Sequence, residues 1–217
     1  MTQSAAEPRG TIRLTTSINF GTHQVTPAIA LFLARHPQVK FDVSLSDRIV
    51  DIIEEGFDLA IRIGGTGGEN LVARKLGETR LLPCASPGYI ARHGTPATPE
   101  DLARHNCLTY EYALSDAWSF RDAEGRERTI RVTGSLNSNN GELNVAAAVQ
   151  GVGITLEPDF IIGAELGNGA LVRVLESFEA PALPIYAVYP SRRFLPAKVR
   201  MFVDFMAERC AGMQGRA

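Results

Sequence analysis

The sequence predicts an α/β protein built as two subdomains, and three observations carry that prediction. In the first part of the chain, apolar alternation of strand type trades places with apolar stripes of helix period. In the middle the punctuation changes to proline and asparagine turns and a hairpin signal. The tail then returns to the style of the beginning, as expected of a chain that leaves one subdomain and later re-enters it.

The elements follow in order. Residues 11–16 alternate, with Ile12 and Leu14 on one face, and predict a strand. After the polar, glycine-containing segment 17–22, a helix is expected to run to about His36, because Val25, Ile29, Phe32 and Leu33 form one stripe. Pro27 is tolerated only near a helix start, and Pro37 stops the helix. Phe41, Val43 and Leu45 alternate as a second strand, and Ser46-Asp47 lead into an expected short helix over 48–55, closed by Gly56. The apolar run 57–63 predicts a buried strand that ends in the glycine-rich loop 64–68. This order implies right-handed crossovers and a parallel sheet.

The middle opens with a strand over 79–85. Ser86-Pro87 supplies N-cap and N1 for a helix closed by Gly94, and Thr98-Pro99-Glu100-Asp101 starts another. Trp118 to Phe120 and Thr129 to Val132 flank the polar turn 122–125, a hairpin signal. Residues 137–141 precede a helix through Val149, stopped by Gly151, and 152–156 predict a strand. Pro184 then precedes a strand over 185–189. Pro196 opens a last helix with Val199, Phe202, Val203, Met206 and Cys210 on one stripe. The expected division is a linker remnant over 1–10, subdomain I over 11–83 and 188–217, and subdomain II over 84–187.

Composition narrows the function. At 45% hydrophobic and 21% charged residues in 217, the chain is neither disordered nor collagen-like nor a disulfide scaffold. Its 22 basic and 24 acidic residues leave a net charge of −2, so the whole chain does not read as a nucleic-acid binder. No apolar run approaches the roughly 18 residues of a membrane span. Three widely spaced cysteines and an N-terminus with neither a basic start nor an apolar stretch point to the cytoplasm.

Catalytic signatures are missing. There is no Gly-x-Ser-x-Gly elbow, Walker loop, His-Glu-x-x-His or Cys-x-x-Cys, and Gly151-Val152-Gly153 leads into a strand rather than a helix. His23, His36, His93 and His105 have no metal-ligand spacing. No catalytic residue, metal or cofactor is expected, and Cys84 and Cys107 read as packed thiols rather than a redox pair.

What remains is a set of strand-to-helix turns with small polar residues: Ser17-Ile18-Asn19, Ser86-Pro87 and Asn139-Asn140-Gly141, with Ser46 at a fourth strand end. Each alone is an ordinary N-cap. Together they suit a ligand in the crevice at the carboxyl ends of strands, where helix N-termini favour an anion. Arg62, at the exit of an apolar strand, can clamp a carboxylate bidentately or pair with Asp58 or Glu157. Phe20, Tyr110 and Trp118 supply either apolar walls or core.

Ordered stretches over nearly the whole chain closely resemble the effector-binding domain of LysR-type transcriptional regulators. They run from Pro8 to Ser17, Val50 to Gly64, Ala85 to Tyr89, Thr98 to Leu102, Ala146 to Ile154 and Tyr189 to Arg193. No single motif is decisive; their order and spacing are specific. The resemblance implies a fold like a type 2 periplasmic binding protein, with two Rossmann-like subdomains around a central cleft. It implies a small effector, often an organic acid, and a bacterial cytoplasmic regulator working as a homodimer or homotetramer, its subdomains paired antiparallel across a two-fold axis.

Carried over by position, the effector would meet Ser17, Ser46, the exit from Arg62 to Gly64, Ser86 and Asn139. Ile18, Asn19, Phe20, Tyr110 and Glu157 complete the candidate set. Glu157, before Pro158, places an acid near the expected pocket wall, where it can neutralise Arg62. Ten residues before Thr11 are too few for the family's winged helix-turn-helix, so DNA contact is expected only through a domain outside this chain. The competing readings are a solute-binding protein of a transport system, an enzyme on the same scaffold, and a domain kept only for oligomerisation.

Overall fold

The structure is a computed structural model that describes residues 7–48, 50–65, 70–113, 117–191 and 195–211. Two compact units divide the chain: unit 1 comprises Met1–Glu78 and Pro184–Ala217, and unit 2 comprises Thr79–Leu183. In chain order the elements are β1 (Gly10–Thr16), α1 (Ile18–Phe20), a π-helical turn (Gly21–Val25), α2 (Thr26–Arg35), β2 (Val39–Leu45), β3 (Leu59–Ile63), β4 (Leu71–Thr79) and β5 (Leu81–Ala85). Then come α3 (Pro87–His93), a 3-10 helix (Pro99–Arg104), β6 (Cys107–Tyr110), β7 (Ala117–Arg121), β8 (Glu127–Arg131), β9 (Asn137–Ser138) and α4 (Gly141–Val149). The last are β10 (Ile154–Pro158), α5 (Asp159–Gly167), β11 (Val172–Arg173), β12 (Leu183–Pro190) and α6 (Ala197–Ala211).

Unit 1 is one sheet in the order β2-β1-β3-β12-β4. β1 pairs parallel with β2 and β3, as the strand–helix alternation predicts. The sheet is nevertheless mixed, because β12, returning from unit 2, runs antiparallel to β3. α1, the π turn and α2 form one helical run that starts at Ile18, earlier than the glycine-containing segment suggests. The π turn lies just before Pro27, which has no N–H to donate. Thr26 bonds back through its side chain to the Gly21 carbonyl at 2.9 Å.

The helix side of this sheet is aromatic. Phe32 of α2 meets Phe202 of α6 edge-on at 5.2 Å between centroids, and Phe41 of β2 meets Phe202 at 4.8 Å. The predicted stripe of α6 is the buried one: Val199, Phe202, Val203, Met206 and Cys210. On the other side Ala60 and Val188 pack with Ile52 and Phe57.

No helix forms among the described residues of the expected 48–55 segment, which shows turns from Ile52 onward. The Asp51 side chain accepts from the amides of Ile53 and Glu54 at 2.8 and 2.9 Å and its carbonyl from Glu55 N–H at 3.0 Å, so it caps a single turn that does not extend into a helix. Gly56 closes it at φ +70°.

Unit 2 is a second mixed sheet, β11-β5-β10-β6-β9, with the hairpin β7-β8 beside it. β10 runs parallel to β6 and antiparallel to β5. The hairpin pairs Trp118 with Ile130 and Phe120 with Arg128. Trp118 and Phe120 join Tyr89, Leu102 and Ile154 in one core cluster, so Trp118 is core rather than wall. A second cluster holds Leu108, Val145 and Ile162.

The glycines of Gly151-Val152-Gly153 have structural work. Gly151 takes φ +77° after α4. A Cβ on Gly153 would lie 2.2 Å from the Asn106 carbonyl oxygen, where β10 approaches β6. The segment expected as a helix from Thr98 is a 3-10 helix, with a capping box between Thr98 and Asp101.

Candidate functional site

In unit 1 the candidates gather at the carboxyl ends of β1, β2 and β3. Ser17 is the extended N-cap of α1, at φ −63° and ψ 152°, yet its side chain makes no capping bond. The first amide of the helix, Ile18 N–H, donates instead to Asp47 Oδ1 at 3.2 Å, from a residue 29 positions away. Ser46 is held locally: its amide donates to the Thr16 carbonyl at 2.9 Å, and its hydroxyl accepts from Arg48 N–H at 3.2 Å. Asn19 is buried at 8% exposure and Phe20 at 0%, so the Phe20 ring packs as core rather than as a solvent-facing wall.

Arg62, near the end of β3, is half-buried, and its Nη2 comes to 3.5 Å of Thr15 Oγ1, the outer limit of a hydrogen bond. Burial pulls the guanidinium below its ordinary pKa, while the charges of Asp47 and Glu55 push the other way. Within unit 1 those two acids, rather than Asp58, are its electrostatic neighbours. Asp58 accepts the Arg13 amide at 3.1 Å. Gly64, at φ +82°, already gives its N–H to the Pro184 carbonyl at 2.9 Å. Unit 1 thus brings together Ile18, Asp47 and Arg62 around one charged corner.

In unit 2, Ser86 caps α3 and accepts from Tyr89 N–H at 3.3 Å, with Pro87 at the first helical position. Asn139 is exposed and does not cap α4. The cap is Asn140, whose Oδ1 accepts from Leu143 N–H at 3.2 Å. Asn140 is set by Ser138, whose hydroxyl accepts the Asn140 amide at 3.0 Å. Tyr110, half-buried at the end of β6, sits edge-on to Tyr112 at 5.9 Å.

Glu157 is buried under α4. Asn144 donates to its Oε1 at 2.9 Å and to the Thr109 carbonyl at 3.2 Å, so one amide ties α4 to β10 and β6. Burial pushes the Glu157 carboxyl up to about 7, the Asn144 bond pulling the other way. Asp47 and Asn144 are the two partners that reading by strand ends missed. Asp47 is legible in hindsight as a carboxylate directly after Ser46, beside a helix start.

Among the described residues no group of three His, Cys, Asp or Glu could hold a metal ion. No described helix is long and apolar enough to cross a membrane. Cys84, Cys107 and Cys210 are free and buried.

The profile of the LysR substrate binding domain matches residues 5–211. The chain is 38% identical over 203 residues to the HTH-type transcriptional regulator DmlR of Escherichia coli, covering 93% of this chain and 66% of that protein. It is 34% identical over 199 residues to an uncharacterized HTH-type transcriptional regulator of Haemophilus influenzae, covering 92% and 69%. Among solved structures, the regulatory domain of CrgA, a LysR-type transcriptional regulator from Neisseria meningitidis, superposes at TM-score 0.82 and 29% identity. That match covers 94% of this chain and all of that one.

These likenesses define a class, the effector-binding domains of LysR-type transcriptional regulators. The chain belongs to the LysR substrate binding domain family, and it spans about two thirds of the length of the regulators it matches.

Proposed function

We propose that this domain senses a small organic acid and passes its binding on to transcription. The observation that carries the reading is Arg62, a half-buried guanidinium at the end of β3 in the field of Asp47, in a domain of the family whose relatives are transcription regulators. The residues assigned to the effector are Ser17, Ser46 and Arg62 in unit 1, and Ser86, Tyr110 and Asn139 in unit 2. The effector acts by favouring one conformational state, to the extent that it binds that state better. The domain is regulatory rather than catalytic, works in the cytoplasm as a homodimer or homotetramer, and leaves DNA contact to another part of the regulator. Its net charge of −2 supports that division, since DNA affinity rests largely on phosphate contacts by Lys and Arg.

The test is a thermal-shift screen with aromatic, dicarboxylic, amino and sugar acids, each beside its neutral analogue. A ligand at 100 times its Kd adds about 2.7 kcal/mol, which is roughly 5–11 °C for a chain of this size. The expected result is a shift with one acid, absent with its neutral analogue and lost in Arg62→Ala. A shift that survives Arg62→Ala undiminished would refute the role of the guanidinium.

A further inference from the structure

We propose that Asn168-Gly169 is a self-modifying site, at which the main chain converts the asparagine to aspartate and isoaspartate through a cyclic imide. The chain holds two Asn-Gly pairs, Asn140-Gly141 and Asn168-Gly169. Such pairs are labile because glycine has no side chain to keep its amide nitrogen away from the preceding side chain. The fold treats the two differently. Asn168 is the C-cap of α5, and both it and Gly169 are exposed. Gly169 takes φ +76°, and a Cβ there would meet nothing within 4 Å. Asn140 is the N-cap of α4, and Gly141 is buried as the first residue of that helix. The Asn140 side chain accepts from Leu143 N–H at 3.2 Å, and its carbonyl accepts from Asn144 N–H at 3.3 Å. Ring closure at Asn140 therefore pulls apart the first turn of α4. At Asn168 it disturbs the turn that follows α5.

The turn at Asn168 also activates the carbon that is attacked. Ala170 N–H donates to Asn168 Oδ1 at 2.9 Å, and that oxygen gathers the negative charge of the tetrahedral intermediate. The nucleophile is the Gly169 amide nitrogen, whose N–H gives up a long bond to the Leu166 carbonyl, at 3.3 Å. Hydroxide removes the Gly169 amide proton, and the nitrogen forms a bond to Asn168 Cγ. The Cγ–Nδ2 bond then breaks, and ammonia leaves with a proton from water, which restores the hydroxide. Water opens the imide at either carbonyl. One product is aspartate; the other is isoaspartate, with an extra methylene in the main chain. Either product puts a carboxylate at the C-terminal end of α5, where the helix dipole disfavours negative charge. The change falls at a joint in unit 2. Leu171 N–H donates to the Glu165 carbonyl and Val174 N–H to the Pro83 carbonyl, both at 3.0 Å, so this turn seats β11 on β5.

The test is ageing of the whole chain at pH 8, native and in urea, followed by peptide mapping with mass spectrometry. Electron-transfer fragmentation distinguishes isoaspartate from aspartate. In the native chain Asn168 should gain about one mass unit at a rate about tenfold or more above that of Asn140, which must first leave its helix. In urea, where neither pair is held by the fold, the two rates should converge. The native rate at Asn168 should be about tenfold lower at pH 7 than at pH 8, because the attacking amide must lose a proton. Hydrogen exchange reads the structural consequence: the Leu171 and Val174 amides should lose protection in the aged chain and keep it in equally aged Asn168→Gln. No modification of native Asn168, or Asn140 keeping pace with it, would overturn the proposal. A native preference that persisted in urea would overturn it as well, by placing the difference in the sequence rather than in the fold. Unchanged protection at Leu171 and Val174 after modification would refute the loosening of β11.

Discussion

A single proton on Glu157 links the interior of unit 2 to pH. Its carboxyl stands at about 7 because it is buried, against an ordinary 4.5. Between those values the folded protein keeps a proton that the unfolded chain has released, so stability falls as pH rises. The loss is complete above pH 7 and is on the order of 3 kcal/mol. Glu157→Gln preserves shape and an acceptor for Asn144 while removing the titration. Urea unfolding at pH 5, 6, 7 and 8 should therefore show the wild type losing ground to the variant across that window. Parallel stability curves would show that Glu157 does not titrate there. The thiols make the opposite point. Burial pushes Cys84 and Cys107 up to about 12 and Cys210 to about 11, so hardly any thiolate exists at pH 8. Labelling by a thiol-specific disulfide reagent should be about a hundred-fold or more slower in the native chain than in urea. A fast native thiol would instead mark a reactive site.

At the scale of elements, α4 separates two neighbouring asparagines that look alike in sequence. Asn140→Ala removes the acceptor for Leu143 N–H and should cost about 1 kcal/mol. Asn139→Ala, at an exposed position, should change urea stability by less than about 0.5 kcal/mol. Equal effects would mean that α4 starts elsewhere. Gly153→Ala should be far more damaging, about 3 kcal/mol or more, because its Cβ meets backbone rather than a movable side chain.

The same contrasts show which parts of the fold were legible in the sequence. α6, α3 and the β7-β8 hairpin were readable because period, caps and turn residues agree locally. The segment over 48–55 was not, since the turn that Asp51 caps is ended by Gly56 at φ +70° before a helix can extend. β4 and α5 were missed as well. β4 is an edge strand with a mostly exposed first half from Val72 to Lys75, so alternation gives no signal there. α5 starts at Asp159 after Pro158, an N-cap residue whose side chain makes no capping bond. Of the site, the strand-end serines and Arg62 could be named from sequence. The bonds of Asp47 to Ile18 N–H and of Asn144 to Glu157 could not, because they span 29 and 13 positions and leave no local pattern, although Asp47 itself stands directly after Ser46.

The whole molecule is set by how one unit interrupts the other. All five strands of the unit 2 sheet, β11, β5, β10, β6 and β9, come from the single stretch 79–183. Unit 1 has no such independence: β12 lies between β3 and β4, and α6 supplies Phe202 to the core around Phe32. A fragment of residues 79–183 should therefore fold alone, with dispersed amide signals and a cooperative urea transition. A fragment of residues 1–78 should not, because its sheet lacks an interior strand and leaves β3 and β4 without the partner between them. Joining residues 1–78 to 184–217 through a short Gly-Ser linker should restore folding, since closing a flexible loop costs little more as it lengthens. If 1–78 folded by itself, β12 would be an accessory to unit 1 rather than part of its core. If 79–183 did not fold, the two units would share one cooperative core, and effector binding could not be treated as acting on two separately stable bodies.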